Sequence, residues 1–151
     1  MKGLIQRVTR ASVDVDQQTI AEIPTGLLLL LGVERNDSER QVADLCRKVL
    51  SYRVFPDDQG RMNRSLRDVS GSLLVVPQFT LAADTGSGTR PGFSTAASPD
   101  RAKSLYLSFV ERARLELGPE RVGEGQFGAD MKVSLVNDGP VTFLLETTRD
   151  P

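Results

Sequence analysis

A proline stands inside an otherwise strand-like apolar run, Leu73-Leu74-Val75-Val76-Pro77-Gln78-Phe79. Proline has no N–H to give to a sheet ladder, so a strand written this way must lie at an edge or a bulge at that point, and neighbouring main-chain N–H groups are left without ladder partners. Oriented, unpaired N–H groups are what an acyl-transfer site uses to hold a developing oxyanion. The same residues also suit a strand end beside an ordinary turn. A second interruption, Asn137-Asp138-Gly139-Pro140-Val141-Thr142, lies between Met131-Lys132-Val133-Ser134-Leu135-Val136 and Val141-Thr142-Phe143-Leu144-Leu145-Glu146. It reads as the connection of a closing strand hairpin.

The remaining chain supplies partners for these segments. Leu4-Ile5-Gln6-Arg7-Val8 and Ser12-Val13-Asp14-Val15-Asp16 alternate at period two and, with Ile20-Ala21-Glu22-Ile23, predict a meander of short antiparallel strands. Leu27 to Val33 is apolar on both faces, as a central buried strand requires. Ser38 and Gln41 form a capping box ahead of the stripe Val42, Leu45, Cys46, Val49 and Leu50. A turn follows at Phe55 to Gly60. Ser98-Pro99 opens a second helix with a polar N-cap and proline at its first position. Its stripe Ala102, Leu105, Tyr106, Phe109, Val110 and Ala113 runs to a Gly118-Pro119 stop. Between them, residues 82 to 97 form a Gly- and Thr-rich stretch without periodicity, of a length usually functional or disordered. The expected fold is α/β but mostly β, layered β/β/α: an antiparallel-rich sheet or partial barrel with two helices packed on one face, in a single domain over residues 1–151.

Composition narrows the chemistry. With no histidine in 151 residues, Ser-His-Asp and Cys-His nucleophile systems, His-ligated zinc and the usual general base near neutral pH are absent together. The single cysteine, Cys46, falls on a helix stripe and reads as a small buried hydrophobe. The acidic residues show no metal-ligand spacing, so neither metal nor cofactor is expected. The longest apolar stretch is broken by Glu22, Pro24 and Gly26, which excludes a transmembrane helix, and the alternating start at Met1-Lys2-Gly3 does not read as a signal peptide. A cytoplasmic location is expected. A net charge of −1 gives no global signature of nucleic-acid binding, although Arg47, Lys48, Arg53, Arg61, Arg64 and Arg67 cluster locally, a set that usually makes a solvated face.

Gln78-Phe79-Thr80-Leu81 after an apolar strand, Arg90-Pro91 in a Gly-rich loop, Phe127-Gly128-Ala129-Asp130-Met131 and Val133 to Thr142 resemble, in order and spacing, the D-aminoacyl-tRNA deacylases. The similarity runs from Met1 to about Thr147. It implies a homodimer that hydrolyses the ester between a D-amino acid and the terminal adenosine of tRNA, each site completed by a Gly139-cis-Pro140 turn inserted from the partner subunit. By the same resemblance Gln78, Phe79 and Thr80 form the catalytic wall facing the ester, while Arg7, Phe127, Met131, Val141 and Thr142 join Gly139 and Pro140 in binding substrate. One departure is Pro77, where the family usually has serine. Proline there resembles an animal-restricted sister group of relaxed chirality, in which alanine typically replaces the phenylalanine that this chain keeps as Phe79. No hydroxyl at position 77 can therefore take part.

Without histidine, the expected mechanism uses the Phe79 and Thr80 N–H groups to polarise the ester carbonyl, with Thr80 positioning groups and the substrate's own 2′-hydroxyl assisting proton movement. Thr80 as a covalent nucleophile would need an adjacent base, and none is evident. Selectivity by steric rejection of L-amino acids would also admit glycine. Two other classes stand beside this reading. A non-enzymatic RNA-binding module is disfavoured by 5% aromatic residues, and a structural dimerisation domain would use Pro77 and Gly139-Pro140 to shape sheet edges only. Among enzymes the alternative, motivated by Pro77, is a deacylase of L-alanine mischarged to tRNA. DNA and membranes are not expected partners.

Overall fold

One long strand organises the sheet. In the computed structural model, which describes residues 1–149, β1 (Lys2–Val15) pairs antiparallel along one edge first with β3 (Gly26–Gly32) and then with β2 (Gln18–Ile23). The last two residues of the expected 1–151 domain lie outside the described residues. The two short strands expected at Leu4–Val8 and Ser12–Asp16 are thus halves of one. The alternation lapses at exposed Thr9 and Arg10, where β1 passes from one neighbour to the next. Asp16 and Gln17, both at positive φ, make the tight turn into β2.

Beyond β3 the sheet becomes parallel. β6 (Ser72–Pro77) runs parallel to β3, and β7 (Val122–Glu124) runs parallel to β6. The first crossover contains α1 (Glu39–Ser51) and a small hairpin of β4 (Phe55–Pro56) and β5 (Met62–Arg64); the second contains α2 (Pro99–Leu117). The Ser38–Gln41 capping box is formed, and Pro99 and Gly118 bound α2 as expected. Ser98 is the N-cap of α2, but its hydroxyl makes no capping bond.

Alternate residues of β3 and β6 feed two cores. Leu27, Leu29, Leu31, Leu73 and Val75 face both helices. Leu28, Leu74 and Val76 pack with Val8, Ala11, Val13 and Ile23 inside the curved sheet. Each fully buried leucine contributes about 1.5–3 kcal/mol, so a pair of strands buried on both faces anchors the molecule. β2 curls round against β6 and β7, nearly closing the sheet, and a Cβ placed on Gly123 would lie 3.5 Å from the Ala21 Cβ. Where β3 and β6 begin side by side, Gly26 faces Ser72 so closely that it has no room for a side chain: an added Cβ would sit 1.8 Å from the Ser72 carbonyl oxygen.

The free edge of β1 is covered by β8 (Lys132–Glu146), which corrects the expected hairpin. Its two halves do not pair with each other. Both run antiparallel to β1, Asp14↔Lys132 to Val8↔Asn137 and then Gln6↔Thr142 to Lys2↔Glu146. Residues 138–141 therefore bulge out opposite Arg7 in one continuous strand. Where β1 begins, the Met1 amino group donates to Asp37 Oδ1 (2.7 Å), Glu34 Oε1 (3.0 Å) and Thr147 Oγ1 (3.0 Å), tying β1, the entrance to α1 and the end of β8 together.

Candidate active site

Pro77 is the last residue of β6, and β6 is an interior strand rather than an edge. The ladder explains how it is tolerated. Gln78 N–H donates to the Leu31 carbonyl (2.8 Å) on the β3 side, whereas the Val75 carbonyl accepts from Gly125 N–H (2.8 Å) on the opposite side. Pro77 shares the orientation of Val75, so its missing donor faces the flank where β7 has already ended at Glu124. The proline terminates pairing where no partner needs it.

Immediately beyond, Phe79–Ala82 form a single 3₁₀ turn. A helical turn leaves its first N–H groups without partners inside the turn. The N–H groups of Phe79 and Thr80 have no acceptor among the described residues, whereas Leu81 donates back to the Gln78 carbonyl (3.1 Å) and Ala83 to that of Thr80 (3.1 Å). The Thr80 hydroxyl accepts from the Gln78 side-chain amide, which is not a base. Pro77, Gln78, Phe79 and Thr80 line a cavity of about 470 Å³ whose far wall is Phe127 to Met131, with Pro99 and Ala102 of α2 at its side. The wall is held from below: buried Tyr106 donates to the Val75 carbonyl (2.8 Å) and its ring lies 6.1 Å from that of Phe127, while Gln126 N–H points at the Met131 sulfur (3.4 Å). Burial pushes the Tyr106 hydroxyl far above its ordinary range, which keeps it a neutral donor.

The other expected site residues gather elsewhere on the chain. Arg7 fills the β8 bulge: its Nε donates to the Asp138 carbonyl (3.0 Å) and its Nη1 to the Val54 carbonyl (2.7 Å). Asn137 closes the bulge from the opposite side, its amide donating to the carbonyls of Arg7 (2.9 Å) and Val141 (3.0 Å). The Gly139–Pro140 peptide is cis, and Gly139 has φ 143°, where an added Cβ would lie 2.8 Å from Val141 N. Thr142 accepts from the Gln6 amide (3.2 Å). Gln78, Phe79, Thr80, Phe127 and Met131 are thus brought together in the cavity, while Arg7, Gly139, Pro140, Val141 and Thr142 do not line it.

Reactive side chains are scarce here. Burial raises the Cys46 thiol to about 11, so it stays protonated and inert near neutrality. Among the described residues no three His, Cys, Asp or Glu side chains come together to hold a metal ion. What the arrangement presents is two main-chain donors, the Phe79 and Thr80 N–H groups, on residues that line the cavity. Three residues that support the expected site residues escape a reading of the sequence. Phe93, from the loop at 82–97, stacks on Phe79 with ring centroids 4.7 Å apart; Asn137 clamps the bulge; and Val54 supplies its carbonyl to Arg7. An asparagine amid strand residues was a usable signal for the second, but a carbonyl acceptor carries none.

Comparison with known proteins follows the same lines. The family model described as D-Tyr-tRNA(Tyr) deacylase matches residues 4–146. A D-aminoacyl-tRNA deacylase of Marinobacter nauticus is 69% identical over 97% of this chain and 94% of its own length. One from Teredinibacter turnerae is 56% identical, over 97% of this chain and all of its own. Among solved structures, a c-Myc DNA unwinding element binding protein superposes with a TM-score of 0.94 at 40% identity, covering 98% of this chain and 99% of that one. A probable eukaryotic D-amino acid tRNA deacylase shares the fold, with a TM-score of 0.83 at 16% identity, covering 95% and 97%.

Proposed function

The chain belongs to the D-Tyr-tRNA(Tyr) deacylase family, a family of ester-hydrolysing tRNA-editing enzymes, and from that premise we propose how its residues carry out the reaction. Water attacks the ester joining a D-amino acid to the terminal adenosine of tRNA, releasing the free D-amino acid and leaving the hydroxyl on the RNA. The observation that carries this reading is the pair of consecutive unpartnered N–H groups at Phe79 and Thr80, borne by residues that line the cavity. They polarise the scissile carbonyl and hold the charge that develops on its oxygen, an effect worth about 3–4 kcal/mol per donor in comparable sites. Thr80, already engaged by the Gln78 amide, positions substrate or water and forms no covalent intermediate. The neighbouring 2′-hydroxyl of the substrate assists proton transfer, and no cofactor takes part.

The active unit in this proposal is a cytoplasmic homodimer of single-domain chains, in which the Gly139–Pro140 turn of one subunit enters the other's cavity. Two features support it. The turn and the Gln78–Thr80 wall lie apart within one chain, and the 15-residue β8 pairs with β1 and no other strand among the described residues while exposing Val136, Phe143 and Leu144. A long unprotected edge bearing apolar side chains invites a second copy. With the turn's carbonyls against the α-carbon, an L side chain collides, a D side chain escapes, and glycine passes.

The test is hydrolysis of D-tyrosyl-, L-tyrosyl-, glycyl- and L-alanyl-tRNA by the purified protein. The expected order is rapid turnover of the D-tyrosyl ester, measurable turnover of the glycyl ester and none of the L-tyrosyl ester. Equal rates on the two tyrosyl enantiomers would overturn the steric account, and preference for the L-alanyl ester would replace it with the activity that Pro77 suggests.

A further inference from the structure

On the outer side of Phe79 lies a second groove, about 520 Å³, that shares Phe79 and Pro99 with the cavity and is bordered by Phe93, Ser98, Arg35 and Arg101. Three observations give it a chemical character. Phe79 and Phe93 are stacked at 4.7 Å and 21° yet remain 49% and 42% exposed, an aromatic surface turned to solvent between cavity and groove. Arg35 is exposed, and neither an ion pair nor a side-chain hydrogen bond engages its guanidinium among the described residues; its main-chain N–H holds the Thr95 carbonyl (2.9 Å), which fixes where the side chain starts. Arg101 is anchored by donating to the Asp37 carbonyl and has no carboxylate partner among the described residues. No acidic side chain lines the groove, although the chain as a whole carries slightly more acidic than basic residues.

Two guanidinium groups without counter-charges, beside an exposed aromatic pair, form the combination that binds single-stranded nucleic acid: cations for phosphate, rings for base or ribose faces. Building on the deacylase reading, we propose that this groove takes the single-stranded acceptor end of the tRNA, with Arg35 contacting the phosphate that precedes the terminal adenosine. A strand whose terminal ester occupies the cavity leaves it past the Phe79–Phe93 pair and enters the groove. Arg101, held by its main-chain bond, adds charge behind Arg35. The site is read through phosphate and stacking and does not depend on base identity.

Two substrates separate this subsite from the reaction itself. D-Tyrosyl-tRNA has the upstream phosphate, and 2′(3′)-O-D-tyrosyladenosine does not. Arg35→Ala is expected to raise KM for D-tyrosyl-tRNA roughly five- to twentyfold with kcat little changed, and to reduce the slope of log(kcat/KM) against log salt by about 0.7, the value for one phosphate contact on a single strand. The same variant should hydrolyse D-tyrosyladenosine like the wild type, and Arg35→Lys should recover most of the loss on tRNA. Equal losses on both substrates, or no loss on either, would overturn the phosphate assignment while leaving the deacylase reading intact. Failure of the wild type on both substrates would refute the deacylase reading, and the groove would fall with it.

Discussion

Arg7 illustrates how one side chain fixes a piece of main chain that the strand pattern alone cannot. It occupies the single β1 position opposite four residues of β8, and two carbonyl groups, one in the bulge and one in the connection between α1 and β4, accept its hydrogen bonds. The sequence marks Arg7 only through resemblance, because an arginine within a period-two strand is usually just an outward-facing charge. Thr80 is the opposite case: its motif is legible in the sequence, whereas the Gln78 amide that its hydroxyl accepts from, which supports the positioning role proposed above, is not. Replacing Thr80 with valine should therefore lower kcat by no more than about a hundredfold, the scale of misplaced positioning, with no acyl-enzyme trapped on rapid quench. Loss of all activity above background would reinstate Thr80 as nucleophile. At Glu34, burial acts to raise the carboxyl's pKa, but the hydrogen bond and charge of the Met1 ammonium, reinforced by Arg149, outweigh it and hold the pKa below its ordinary value. A depressed folded-state pKa stabilises the protein above the unfolded-state value and ceases to do so as pH falls through the folded one. Glu34→Gln should accordingly cost about 1–3 kcal/mol at neutral pH. That gap from wild type, measured by urea unfolding, should narrow as pH falls below the ordinary carboxylate range and the Glu34 carboxyl takes up its proton.

Helices were the most legible elements, since a capping box, a proline at the first position and a terminal glycine each act locally: α1 begins, and α2 begins and ends, where those residues stand. Strand direction was not legible. β3 and β6 are apolar on both faces, so their side-chain pattern is the same for parallel and antiparallel neighbours. The bulge in β8 was misread for a related reason: Asn-Asp-Gly-Pro between apolar runs is the composition of a hairpin turn, and only pairing of both halves to β1 shows that the chain never reverses. Asn137 is what converts the turn-like sequence into a bulge, by bonding across it to Arg7 and Val141. Asn137→Ala should thus loosen residues 138–141 specifically. Amide exchange there should accelerate, global stability should fall by about 1–3 kcal/mol, and discrimination between D- and L-tyrosyl-tRNA should weaken. Unaltered exchange in that segment would show that Arg7 alone holds it.

For the whole molecule, the decisive feature is that the residues expected to bind substrate divide into two groups, one lining the cavity and one, on and around the bulge of β8, that does not line it. Such a division is invisible in a linear sequence, where both groups read equally as motifs. Leu144, 48% exposed on the uncovered strand, is the sharpest probe of association. Leu144→Lys should raise the dimer dissociation constant about thirtyfold or more, the effect of losing roughly 2 kcal/mol at an interface centre. Sedimentation should show monomers at concentrations where the wild type is paired, with editing lost in parallel; a fully active monomer would exclude a shared site. There is also a genetic corollary. If the turn is shared between subunits as proposed, two alleles, one disabled in the Gln78–Thr80 wall and the other in the Gly139–Pro140 turn, should each be inactive alone. Expressed together they should complement, because a mixed pair concentrates both lesions in one pocket and leaves the other intact.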